Sequence, residues 1–339
     1  MSAARDDTAV EALPAARRDW IPLLLVPAVA LAVLPFIGSL PAWVTLTVAG
    51  LAMGMMVFIM ASGLTLVFGL MDVLNFGHGA FVTVGAYAAA LVLLPLGAWM
   101  GADSLALNLG AIAAAVGAAM IAGGALGLVF ERVLVRPLYG QHLRQILVTM
   151  GGAIIVEQLL AVAWGPDQVA LPVPESLRGA LVMGDIAIER YRLFAVVAGL
   201  AVFAAMGAIL DRTRVGLLIR AGVENREMVE ALGYRIRLLF VGVFVAGSAL
   251  AGLGGVLWGL YRGMTTPSMG ADVMVMVFIV VIIGGLGSVG GCFVGAILTA
   301  LVANYAGFLA PKLALVSNIL VMVVILLWRP AGLYAAVRR

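Results

Sequence analysis

From Trp20 to Trp328 the sequence is a succession of apolar runs, most of them near the roughly 20 residues that a helix needs to cross a hydrocarbon layer. Few folds are open to such a chain. A segment in lipid must satisfy its backbone N–H and C=O groups without water, and runs of this length do so as helices. Composition agrees, with 64% of the 339 residues hydrophobic and 11% charged, against roughly half and a quarter in a soluble domain. The 42 glycines suit helices that associate by close backbone approach. The expected fold is an all-α polytopic transmembrane helix bundle of about 8–10 spans, with no separate soluble domain.

The runs fall at about 20–37, 43–70, 80–94, 105–130, 146–164, 193–210, 238–260, 273–283, 292–309 and 313–328. Of these, the second and the eighth are open to being broken or re-entrant. Arginine collects between them in three places: Arg132, Arg136 and Arg144 within 131–144; six arginines within Asp211–Arg237; and Arg329, Arg338 and Arg339 at the end. Positive charge accumulates in cytoplasmic loops. The three clusters share one side only if even numbers of spans separate them, and two and four spans do. The same parity places the N-terminus in the cytoplasm with Arg17 and Arg18. The expected layout is a disordered cytoplasmic tail over 1–19, a membrane domain over 20–328 and a cytoplasmic tail over 329–339. The first apolar run lacks a small-residue cleavage site and reads as a span, not a signal peptide.

Several function classes are excluded. A net charge of +3 spread over loop arginines gives no nucleic-acid surface. The single cysteine, Cys292, rules out an intramolecular disulfide and a cysteine metal cluster. No Ser/His/Asp set, paired carboxylates or histidine cluster supports catalysis, so neither a metal nor a cofactor is expected. The run Gly284–Gly291 lacks the Gly-Lys-Ser/Thr ending of a phosphate loop. Its Gly284, Gly285, Gly287 and Gly291 read as a turn with close helix contact.

Three features remain as functional candidates. The segment Asp211–Arg237 is a polar island, inside which Glu224–Leu232 reads as a short helix stopped by Gly233 in a left-handed conformation. Met228, Val229 and Leu232 would form its small apolar face, with Glu224, Arg226 and Glu227 in water. Such a helix fits a groove on a soluble partner, or is an ordinary solvated loop helix. The polar interruption at 71–79 carries Asp72, Asn75 and His78, with Gly77 and Gly79 against an unbroken helix. By the span count it lies near the cytoplasmic side, and Asp72 reads as a helix cap. Asn75 and His78 are candidates for a polar solute path. Glu157 is the clearest charge inside a span, either functional or paired with a neighbouring helix.

Residues Arg220 to Gly233, with Glu224, Asn225, Arg226, Glu227, Met228 and Val229, resemble the cytoplasmic coupling loop of the branched-chain amino-acid (high-affinity leucine/isoleucine/valine) ABC permease family. Met228 and Val229 stand where the general importer pattern has alanines. Gly63–Leu70 followed by Asn75–Gly79 and Gly85-Ala86-Tyr87 is similar to the family's N-terminal signature, Gly284–Ser288 with Gly295 to its late glycine turn, and Arg329–Tyr334 to its ending. The resemblance implies a permease subunit of an ATP-binding-cassette importer in the bacterial inner membrane, carrying branched-chain or related small amino acids. It implies two cytoplasmic ATPase subunits, which would hydrolyse the ATP, a second similar permease and a periplasmic solute-binding protein. That protein would meet the outer connectors, chiefly 165–191 and 261–272. Urea, amides or small aromatic acids are alternative substrates. A self-contained secondary transporter or channel using Glu157 or His78 is the alternative of a different class.

Overall fold

A computed structural model describes residues 19–224 and 226–334; the expected tail residues 1–18, the last five residues and Asn225 lie outside it. The helices in chain order are α1 (Ile21–Ile37), α2 (Leu40–Met71), α3 (His78–Leu93), the single turn α4 (Gly97–Met100), α5 (Leu105–Val129) and α6 (His142–Trp164). There follow α7 (Arg190–Arg212), α8 (Arg214–Glu224), α9 (Arg226–Ala231), α10 (Ile236–Arg262), α11 (Met269–Gly284), α12 (Val289–Leu309) and α13 (Pro311–Trp328). Among the described residues six helices are long and apolar enough to cross a membrane by length and composition, and four apolar helices are shorter: Ile21–Ile37, His78–Leu93, Met269–Gly284 and Val316–Trp328. Together they fall on the ten runs of the sequence, and the fold is the all-α bundle expected.

The core lies where α10 packs on α2, α3 and α5, and where α2 also packs on α12. Glycine permits this closeness. A Cβ at Gly63 would sit 2.2 Å from the carbonyl oxygen of Gly247, and one at Gly85 would sit 2.3 Å from that of Gly252. On the periphery, α6 turns Leu147, Ile155, Leu159 and Val162 outward, as a lipid-facing helix does.

The long connector 165–191 holds short strands. Its strand β1 (Val169–Ala170) pairs antiparallel with β4 (Met264–Thr265), while β2 (Ala180–Met183) and β3 (Ile186–Glu189) form a hairpin. The expected charged connector 131–144 begins later than its charges suggest. After α5 the chain continues through a π-helical turn, Phe130–Val135, and a 3-10 turn, Arg136–Leu138. Glu131 is buried there, the Tyr139 hydroxyl donating to its Oε1 at 2.8 Å while its Oε2 has no partner.

The sequence places the 71–79 interruption near the end of the bundle; the structure puts its second half inside. His78 Nε2 donates to the carbonyl oxygen of Met60 at 2.9 Å, and Met60 lies about 16 Å along α2 from its end at 1.5 Å per residue. The non-helical residues 72–77 cover this return, well within the reach of about 20 Å that six extended residues have. Helix α3 therefore starts deep in the bundle. So does α11, where the Gly270 N–H donates to Thr83 Oγ1 at 2.9 Å and a Cβ on Gly79 would meet the Gly270 carbonyl oxygen at 2.6 Å.

The two ends of the described chain meet. Arg329 pairs with the Asp19 carboxylate, and the Tyr334 hydroxyl donates to the Asp19 carbonyl at 3.0 Å. The Arg329 guanidinium and the backbone N–H of Ile21 hold the Asp19 carboxyl below the usual carboxylate range. Contact between the ends fits an even number of crossings.

Candidate functional site

The polar island 211–237 folds as two short helices laid across the end of the bundle. Thr213 starts α8, its Oγ1 accepting from the Gly216 N–H at 3.3 Å. Arg220 reaches back to Asp211 at 3.2 Å and donates to the carbonyl of Leu210, tying α8 to the end of α7. Helix α9 ends as the sequence implies. Gly233 has φ of +86°, its N–H donates to Glu230 O at 2.9 Å, and the Tyr234 N–H donates to Val229 O at 3.2 Å.

The expected apolar face of α9 does not exist as one face. Val229 is 2% exposed and belongs to the main core, whereas Met228 is 50% and Leu232 68% exposed. Four residues apart on a helical turn, those two share the outer side. Val215, Leu217 and Tyr234 are exposed in the same segment, alongside Glu227 and Glu230. One apolar side chain anchors α9, and the others are offered outward. Asn225, and the side chains of Glu224 and Arg226, fall outside the described part.

The second candidate is the interior connector. Asp72 closes α2 in a left-handed conformation, φ 53°, its N–H donating to Phe68 O at 2.9 Å, and its carboxylate lies 3.8 Å from His142 Nε2. Asp72 thus caps the end of α2 through its backbone conformation, not through its side chain as expected. Asn75 and His78 are fully buried. Asn75 Oδ1 accepts from the Gly77 N–H at 3.0 Å while its Nδ2 has no partner. With Nε2 donating to Met60, neutral His78 presents Nδ1 as an acceptor, also without a partner. Beside this connector lies a cavity of about 220 Å3, walled by Phe76, Gly79, Thr83, Pro267 and Met274, with Glu157 from α6 as its charged group. Glu157 is thus brought against the immediate neighbours of Asn75 and His78, although those two side chains do not line the cavity.

The glycine turn 285–288 joins distant blocks. A Cβ on Gly69 would lie 2.7 Å from Gly287 Cα, and one on Gly291 would lie 1.8 Å from the Gly284 carbonyl oxygen. Leu333 N–H donates to Ile283 O at 2.8 Å and Tyr334 N–H to Gly284 O at 3.1 Å. Gly285 and Gly287 have φ of +93° and +82°, which a side chain would strain. Three of the sequence blocks thus meet at one end of α2.

A second cavity, of about 350 Å3, lies between the C-terminal end of α10, β4 and the start of α11. Its walls include Arg262 and Asp272. Sequence reasoning passed over these two because they stand ten positions apart in a connector, and only the reversal of the chain between α10 and α11 puts them on one cavity.

A family model described as branched-chain amino acid transport system, permease component, matches residues 46–328. The chain is 29% identical over 293 residues to the high-affinity branched-chain amino acid transport system permease protein BraD of Pseudomonas aeruginosa, covering 84% of this chain and 94% of the relative. It is 27% identical over 292 residues to the permease protein LivH of Escherichia coli K12, covering 84% and 92%. A probable branched-chain amino acid transport permease of Methanocaldococcus jannaschii is 23% identical over 290 residues, covering 81% and 87%. No solved structure matches. With its apolar helices and these relatives, the chain is a multi-pass membrane protein.

Proposed function

The chain belongs to the branched-chain amino acid transport permease family, and from this we propose that it is one permease subunit of an ATP-binding-cassette importer for branched-chain or related small amino acids in the bacterial inner membrane. The family is one of transport permeases, and in this reading ATP is hydrolysed in two cytoplasmic partner subunits. A second, similar permease chain completes the pathway and a periplasmic protein delivers the solute. The polar island and both chain ends face the cytoplasm.

The observation that carries this reading is the build of α8 and α9. A helix that only capped the bundle would turn its apolar residues inward; here Val229 does so, while Met228 and Leu232 face out beside two glutamates. That is a surface suited to a groove on a soluble partner. Closure of the ATPases would push on α8 and α9 and, through Arg220 and Val229, on α7 and the core. The solute is proposed to pass near the interior connector of Asn75 and His78 and the cavity of Glu157, where two helices begin inside the bundle. The glycine turn keeps α11, α12 and the C-terminal segment together as the helices move.

Co-purification tests the docking. Tagged wild-type chain, expressed with its neighbours, brings down the ATPases; Glu227→Lys or deletion of Glu224–Gly233 loses them while the chain still inserts. Retention of ATPases by the deletion variant would overturn the docking assignment. For the solute path, Glu157→Gln is expected to cut ATP-driven leucine uptake about tenfold or more with ATPase retention unchanged, the order expected for loss of a functional intramembrane charge. Uptake at the wild-type level would remove Glu157 from the path.

A further inference from the structure

Arg262 is the last residue of α10, about 40 Å along that helix from Ile236 and so at the far end from the polar island. Asp272 lies in the first turn of α11. Both line the 350 Å3 cavity, whose other walls are largely thioether and aromatic: Met53, Met264, Met269, Met276, Trp258 and Tyr261. Among the described residues Arg262 and Asp272 pair neither with each other nor with any other charged group.

We propose that this cavity is a receiving site for a zwitterionic amino acid with an apolar side chain. Arg262 takes the α-carboxylate, Asp272 the α-ammonium, and the methionines and aromatic rings take the side chain. The proposal rests on the importer reading above and deepens it by naming where this chain itself holds the solute. A guanidinium fork matches a carboxylate with two parallel hydrogen bonds. A carboxylate and the faces of Trp258 or Tyr261 suit an ammonium. Thioethers adapt to differently branched aliphatic groups, which accords with one site serving several related side chains. Arg262 and Asp272 are both exposed, and a solute seated over them would cover them from water and so strengthen both charge contacts.

The opposed charges also speak to substrate class. Neutral urea and amides would leave both Arg262 and Asp272 unanswered, and an aromatic acid would leave Asp272 unanswered. The first turns of α11 separate this cavity from the one at Glu157, since Thr266, Met269 and Asp272 line one and Pro267, Ala271 and Met274 the other. A solute released here lies one helix start away from the interior path.

The test is radiolabelled leucine binding to the assembled transporter, chain plus partner subunits, without the periplasmic protein. Competitors are 4-methylpentanoate, which lacks the amine, and 3-methylbutylamine, which lacks the carboxylate. Arg262→Gln and Asp272→Asn should each weaken leucine at least tenfold. Arg262→Gln should let the amine compete as well as leucine, and Asp272→Asn should do the same for the acid, while Arg262→Lys keeps part of the affinity. Yield of the assembled complex reports folding. Unchanged leucine binding in both neutral variants, equal loss of all three ligands, or no leucine binding by the wild type while the wild-type system imports leucine would each overturn the cavity assignment. A wild-type system with its periplasmic protein that imports no leucine would overturn the substrate class, and this site with it.

Discussion

A single methyl group decides whether α3 can lie on α10. At Gly85 an added Cβ would stand 2.3 Å from the Gly252 carbonyl oxygen, a backbone atom that cannot swing away. Gly85→Val is expected to lower the thermal midpoint of the purified protein, the overpacking costing about 1–3 kcal/mol or more. Gly117 on α5 has nothing within 4 Å of its Cβ position. Gly117→Ala should hold or raise that midpoint, because alanine is favoured over glycine in a helix by up to about 1 kcal/mol. A Gly85 variant as stable as the wild type would contradict the packing described. The sequence made Gly284, Gly285, Gly287 and Gly291 legible as a turn with close helix contact because they crowd one short run. Gly85 and Gly252 are on different helices, and nothing in the chain between them tells which glycine meets which. Depth was hidden for the same reason: Asn75 and His78 lie in a polar interruption that the span count puts near the cytoplasmic side, and only the bond from His78 to Met60 reveals how far the chain climbs back.

Among the elements, α9 divides its labour within one turn. Met228→Glu with Leu232→Glu is expected to abolish retention of the ATPases while leaving thermal stability within about 0.5 kcal/mol, as for surface changes generally. Val229→Ala should reverse that pattern, costing about 1–3 kcal/mol of stability and keeping the ATPases bound in the fraction that stays folded. The comparison is read from one co-purification and one melting curve per variant. Loss of binding in Val229→Ala at wild-type stability would mean that Val229, not its neighbours, faces the partner. The helix, its stop at Gly233 and its polar setting were legible in the sequence. Its facing was not, because an apolar residue at every accessible turn position satisfies both a core-facing and a partner-facing reading. The short helices α3 and α11 were legible only as runs at the margin of spanning length. Their common start emerges from contacts between Gly79, Thr83 and Gly270 across the fold.

For the whole molecule, the ten apolar runs, the even parity of the arginine clusters and the separated family blocks were legible because bilayer thickness and charge bias act on local sequence. The structure adds what brings them together: Arg329 on Asp19 joins the ends, and Gly287 against Gly69 joins the late glycine turn to the first long helix. Two cavities lie on either side of the start of α11, and Arg262 at one of them stands about 40 Å along α10 from Ile236 in the polar island; in the proposed function they belong to a conduit whose motion is driven from outside the chain. Leucine accumulation should therefore be measured in proteoliposomes holding this chain with its partner permease and ATPases, supplied with the solute-binding protein, and compared with liposomes holding this chain alone. The expected result is accumulation only in the complete system, only with ATP, and none when Glu224–Gly233 is deleted; accumulation by the chain alone, or by the complete system without ATP, would contradict it.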